Sequence, residues 1–252
     1  MAEVDFDRLA SAYRFRPASP ASLERAARAG SRLASGTRIL DVGGGPANHA
    51  LVWAEQGHRP VVLDPSTAMA ATAQTHGIQT VVGYSQAIPF RPRTFDLVWF
   101  HLSVHYGDWQ LALDEAQRVV AEAGRVEVWT LGEEHHRQSI LAQWFPSIAE
   151  IDSRRFPDPN EVVAYLARRM PIVAVSQPHE VVVRPVGAWL QAVEAGFVST
   201  LHLLSDEERA TGVDALRTAY PDPTERVSYE LHFTRITGDR RTSTPAEDLL
   251  EH

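Results

Sequence analysis

Asp41, Asp64, His101 and His105 each stand at or just past the end of a short apolar run. In an open α/β sheet that is where ligands gather, beyond the carboxyl ends of the strands. Arg38-Ile39-Leu40 runs into Asp41, then into Gly43 and Gly45. Glycine there lets the backbone turn sharply and approach a ligand closely. Pro60-Val61-Val62-Leu63 runs into Asp64, whose two acceptor oxygens suit vicinal ribose hydroxyls. The competing role for Asp64 is a helix cap, for which Ser66 is the rival. Residues 94–100 run into His101 and His105. Near neutral pH an imidazole can take a proton from a hydroxyl, phenol or amine, and His105 is the candidate base; both histidines can equally be neutral packing groups. His135 and His136 are adjacent rather than four apart, and the chain has no cysteine, so no metal site is expected.

The elements that must position these groups follow from the same runs. Residues 38–41, the glycines, and the helix formers at 50–56 ending on Gly57 read as strand, turn and helix. Ser19 with Pro20 starts an amphipathic helix over 20–33, before the first strand. Further strands are expected over 60–64, 78–83, 94–100 and 125–130, with Asp108 capping a helix over 109–121. From 133 to 184 the regular alternation breaks. Asp158-Pro159-Asn160-Glu161 opens a helix, and residues 172–183 read as a strand broken by Gln177-Pro178-His179. A helix over 187–195, a capping box Ser205-x-x-Glu208 opening a helix to Tyr220, and a closing strand over 227–236 complete the pass.

Two ligand classes use a strand–glycine loop–helix unit. The dinucleotide fingerprint G-x-G-x-x-G would put its third glycine on Asn48. The pattern Asp41-x-Gly43-x-Gly45-x-Ala47 instead resembles the first motif of class I S-adenosylmethionine (SAM) dependent methyltransferases of the small-molecule type, with Ala47 in place of the last glycine. Asp64-Pro65-Ser66-x-x-Met69 resembles the second motif, Phe95-Asp96-Leu97-Val98 the fourth strand, and Phe6-Asp7-x-x-Ala10-x-x-Tyr13 the opening segment that folds over the cofactor. The segment after the third strand departs from the pattern, carrying Tyr84-Ser85-Gln86 where the family has an acidic residue.

That resemblance implies a Rossmann-like, doubly wound α/β fold: seven strands, mostly parallel, with helices on both faces and a helical lid insertion. It implies SAM as cofactor and S-adenosylhomocysteine (SAH) as product. Asp41, Gly43 and Gly45 would take the aminoacid end, Asp64 and Pro65 the ribose side, and Met69, Ser85 and Gln86 the adenine region, with Tyr13 and His101 also lining the cofactor. His105, and His101 beside it, are the candidate catalytic residues. The expected activity is methyl transfer to an O, N or C nucleophile of a small molecule. Non-methylating chemistry on the same scaffold, such as a cyclisation, and a non-catalytic SAM-binding regulator are the alternatives.

The chain has 252 residues, 44% hydrophobic and 22% charged, which suits a soluble globular protein with a full core. The implied division is an N-terminal helical cap over 1–35, a cofactor-binding core over 36–132, a lid over 133–185, further core helices and strands over 186–237, and a disordered tail over 238–252. A net charge of −8 repels a phosphate backbone, so no nucleic-acid partner is expected. No apolar run is long enough to span a membrane and no leader is visible, which points to the cytoplasm, as monomer or homodimer, with a small-molecule acceptor.

Overall fold

The first strand, β1 (Arg38–Val42), is buried from its second residue on, as is β2 (Arg59–Asp64), the pattern of strands covered on both faces. Together with β3 (Gln79–Val82), β4 (Phe95–His101) and β5 (Val120–Leu131) they form a parallel ladder, in which β1 pairs with both β2 and β4. The computed structural model describes Asp7, Ala10, Tyr13 and residues 18–241. Phe6 of the opening motif and residues 242–252 of the expected tail lie outside the described residues.

With β6 (Ile172–Ser176), β7 (His179–Pro185) and β8 (Arg226–Asp239), strand order is β3-β2-β1-β4-β5-β8-β6, with β7 paired to β8. The chain moves outward from β1 to β3, then returns to lay β4 on the other side of β1. That reversal makes a crevice at the carboxyl ends of β1 and β4. Among the described residues eight strands stand where seven were expected. Pro178 cannot donate to a ladder, and it splits the expected strand into β6 (Ile172–Ser176) and β7 (His179–Pro185). Each half then pairs antiparallel with its own part of the long β8 (Arg226–Asp239). Gly238 and Asp239, assigned from the sequence to the tail, therefore belong to that strand.

The described residues divide into two compact units. One comprises Ala18–Thr130, Pro157–Pro178 and, of the described residues, 234–241. Its apolar core lies on one face of the sheet, where Leu40, Val42, Val98, Phe100, Val126 and Val128 meet α4 (Trp109–Val119) and α7 (Pro159–Leu166). On the opposite face, register aligns Asp41 with Trp99 and Trp99 with Glu127, so this side carries polar and aromatic groups. It is covered by α1 (Pro20–Ser31) and α2 (Asn48–Glu55), clamped together where the Trp53 indole donates to the Ala26 carbonyl at 2.7 Å. Here Arg235 grips the buried Glu127 through two hydrogen bonds of 2.8 and 3.3 Å.

The second unit includes Leu131–Phe156 and His179–Phe233. It contains α5 (Glu133–Gln138), α6 (Ser147–Arg155), α8 (Val186–Glu194) and α9 (Asp206–Ala219) around its own core of Phe145, Ile148, Trp189, Val193 and Leu216. The sequence-based division drew these boundaries elsewhere. Val162 and Leu166, assigned to a lid, are fully buried in the sheet's core, while Trp189 and Leu216, assigned to the core domain, pack with Phe145.

Candidate active site

Asp41 ends its strand beneath the glycine turn with 1% of its surface exposed. Burial first, and the neighbouring Asp64 charge second, push its carboxyl up from 3.8 to about 8. Its Oδ2 is buried and has no hydrogen-bond partner among the described residues. A buried acceptor without a donor is costly unless something else satisfies it.

The turn above it is left-handed, with φ of +70° at Gly43, +55° at Gly45 and +73° at Ala47. A Cβ on Gly43 would stand 2.5 Å from Ser103 Cβ, and one on Gly44 would stand 2.6 Å from the Asp41 carboxylate. Gly44 was not singled out from the sequence, because a motif that fixes alternate glycines says nothing about the carboxylate folded under the intervening one. Ser103 was missed likewise; its hydroxyl donates to the Val42 carbonyl and locks the β4 end against the turn.

Asp64 is buried, and both its oxygens accept backbone N–H groups, Oδ2 from Gly45 and Oδ1 from Ser66, each at 2.9 Å. These two bonds fix the orientation of the carboxylate. The helix α3 (Thr67–Thr75) is capped by Ser66, whose hydroxyl accepts from Met69 N at 3.2 Å. Ser66 thus takes the cap, and Asp64 ties β2 to the glycine turn. Pro65 sits between them, and Met69 is buried in the first turn of α3.

Past β3, Tyr84 is exposed and Ser85 half-buried. The Gln86 amide donates to the Tyr106 carbonyl at 2.7 Å, tying this loop to the one after β4. That bond engages the amide donor expected to face a base, leaving the Gln86 carbonyl oxygen. Tyr13 is partly buried.

His101 lies in a cluster that sequence did not reveal. Its ring stands edge-on to His49 at 4.7 Å and parallel to Trp99 at 6.3 Å, and its Nε2 is 3.5 Å from Arg25 Nη2. The same guanidinium, together with burial as the larger cause, lowers His49 to about 4, and His49 shares a 2.8 Å hydrogen bond with Ser22. His105 is buried, its ring 4.1 Å from Tyr106. Asp41, Gly43, Gly45 and Asp64 are thus brought together, with His49 and His101 beside the turn. No group of three metal-ligating side chains gathers among the described residues.

Residues 40–128 match the methyltransferase domain family model. The chain carries a methyltransferase domain. This domain contains Asp41, the glycine turn, Asp64, His101 and His105. The chain is 31% identical over 147 residues to a malonyl-[acyl-carrier protein] O-methyltransferase of Erwinia billingiae, covering 56% of this chain and 57% of that protein. A protein of the same description from Salmonella typhimurium is 35% identical over 96 residues, 37% of this chain and 38% of that one. The chain thus spans less than two thirds of these relatives' length. Among solved structures, the YcgJ protein of Bacillus subtilis superposes with a TM-score of 0.62 at 18% identity, over 88% of this chain and 99% of that one. The Haemonchus contortus phosphoethanolamine N-methyltransferase 2, solved with SAH, gives 0.58 at 15% identity, over 91% of this chain and 56% of that one. At such identities these two likenesses show the fold of the methyltransferase domain.

Proposed function

We propose that the protein binds SAM in the crevice beside β1 and transfers its methyl group to an oxygen of an acyl acceptor of the malonyl-thioester kind. The observation that carries this reading is the buried Asp41 carboxylate, one oxygen unpartnered, under a turn whose glycines leave no side chain between it and the crevice. A cationic ligand would compensate that carboxyl, and the aminoacid end of SAM offers an ammonium close to a sulfonium.

The residues fit the cofactor in parts. Asp41 would hold the charge of the aminoacid end, while Gly43, Gly44 and Gly45 let the backbone come close. Asp64, fixed in orientation by Gly45 and Ser66, would accept the ribose hydroxyls. Pro65, Met69, Ser85 and the Gln86 carbonyl would border the adenine. When bound, SAM supplies a methyl group already activated by its positive sulfur. The protein's own contribution is to orient the acceptor and keep water away. The nature of the acceptor rests on the malonyl-[acyl-carrier protein] O-methyltransferases that share up to 35% identity with this chain.

Incubation with SAM and malonyl-loaded acyl carrier protein tests the reading. Mass spectrometry is expected to show a malonyl group heavier by one methylene, with SAH accumulating in step. SAH without that product would contradict the acceptor; neither would contradict the transferase.

A further inference from the structure

We propose that the end of the sheet where β1 and β2 begin, opposite the cofactor crevice, holds a second binding site, and that this site takes a small organic phosphomonoester. The proposal does not depend on methyl transfer.

Arg38 and Arg59 are the first residues of β1 and β2, both exposed, and they are direct partners in the parallel register. Neighbouring strands lie about 4.8 Å apart. Side chains alternate between the two faces of a strand, so Arg38 shares its face with Leu40 and Val42, and Arg59 shares its face with Val61 and Leu63. All four of those apolar residues belong to the sheet's core. The two arginines therefore extend the core face to its end. A cavity of about 210 Å³ opens there, lined by both arginines and by an apolar wall of Val61, Phe90 and Phe95. Val61 and Phe95 are buried, and Phe90 meets Phe95 edge-on with ring centroids 5.0 Å apart. Gln79, the register partner of Val61 on β3, adds an amide to the lining. Among the described residues neither guanidinium makes a hydrogen bond or an ion pair. The Asp96 carboxylate stands at this end too, but it accepts the Arg38 backbone N–H at 3.0 Å rather than the side chain.

Two cations side by side on a chain of net charge −8, facing a cavity instead of a carboxylate, are complementary to an anion of charge near two. A phosphomonoester carries about −1.5 to −2 at neutral pH and offers three acceptor oxygens. Each guanidinium can meet two of them through parallel N–H donors. A monocarboxylate would compensate only one of the pair. The apolar wall calls for a body as well as a head, and the volume sets its size. Sites for drug-sized ligands run from about 300 to 1,000 Å³, so this smaller cavity suits a single ring or a short chain rather than a nucleotide. At a rise of about 3.3 Å per residue, Arg38 and Asp41 lie about 10 Å apart along β1. The two sites are therefore separate and can fill together.

The test is calorimetric titration of phenyl phosphate into wild type, Arg38→Gln and Arg59→Gln, with thermal melts to confirm that each is folded. Wild type is expected to bind it, and each variant to bind about tenfold more weakly or worse. Inorganic phosphate and phenol, which carry the head and the body separately, should each bind wild type at least about tenfold more weakly than phenyl phosphate. Saturating SAH should leave the phenyl phosphate affinity unchanged, and the variants should keep the wild-type affinity for SAH. No binding by wild type, equal binding by either folded variant, equal affinity for inorganic phosphate, or displacement of phenyl phosphate by SAH would each overturn the proposal. Failure of wild type to bind SAH would contradict the transferase reading alone.

Discussion

Asp41 holds its proton at neutral pH because burial and the nearby Asp64 raise its carboxyl from 3.8 to about 8. The folded state therefore binds a proton that the unfolded chain has released, so this group's contribution to stability is full below about 4 and is lost as pH rises toward 8. A bound ammonium or sulfonium reverses the shift and expels the proton. Binding of SAH near pH 6 is thus expected to release close to one proton, and the release should vanish above about 8. Titrations in buffers of different ionisation enthalpy measure this directly; proton uptake, or no dependence on buffer, would contradict the role given to Asp41. At this scale the sequence revealed the strand-end carboxylates and two of the glycines, because those positions follow from local spacing. It could not reveal Gly44 or Ser103. Their importance comes from partners that only the fold brings near: the carboxylate beneath one and a glycine beside the other.

Helix starts were read from the sequence because a cap is a local bond. Ser19, Asp108, Asp158 and Ser205 each accept a backbone N–H at the expected helix start. The box at Ser205 closes on one side only, since the Glu208 carboxylate turns away to accept Ser147 N at 2.9 Å. Elements whose character depends on packing were less legible. Gly212 lies inside α9, where propensity alone favours alanine by about 1 kcal/mol. An added Cβ would stand 2.2 Å from the Phe145 ring and 2.8 Å from the Trp144 carbonyl. Packing therefore wins, and Gly212→Ala is expected to lower stability by about 1–3 kcal/mol, lowering Tm by several degrees. A gain in Tm in a thermal melt would show that Phe145 can give way.

Across the whole molecule, the parallel ladder and its switch point follow from a run of apolar strands each ending in a polar group. The division into units does not, because residues 157–178 return to the sheet's core and the division is decided by long-range burial of Val162, Leu166 and Met170. The break at Gln177-Pro178-His179 was legible in the sequence, but a strand count of seven did not foresee that one long partner, β8, pairs with both halves. No helix among the described residues is long and apolar enough to cross a membrane. What the molecule does turns on the crevice between β1 and β4, and one measurement addresses it most directly: calorimetric titration of SAH into wild type and Asp64→Ala, with thermal melts to confirm that both are folded. The expected result is binding in the roughly micromolar range by wild type, weakened about tenfold or more in the variant, which is about 1.4 kcal/mol or more. No binding by folded wild type, or equal binding by the variant, would contradict the site.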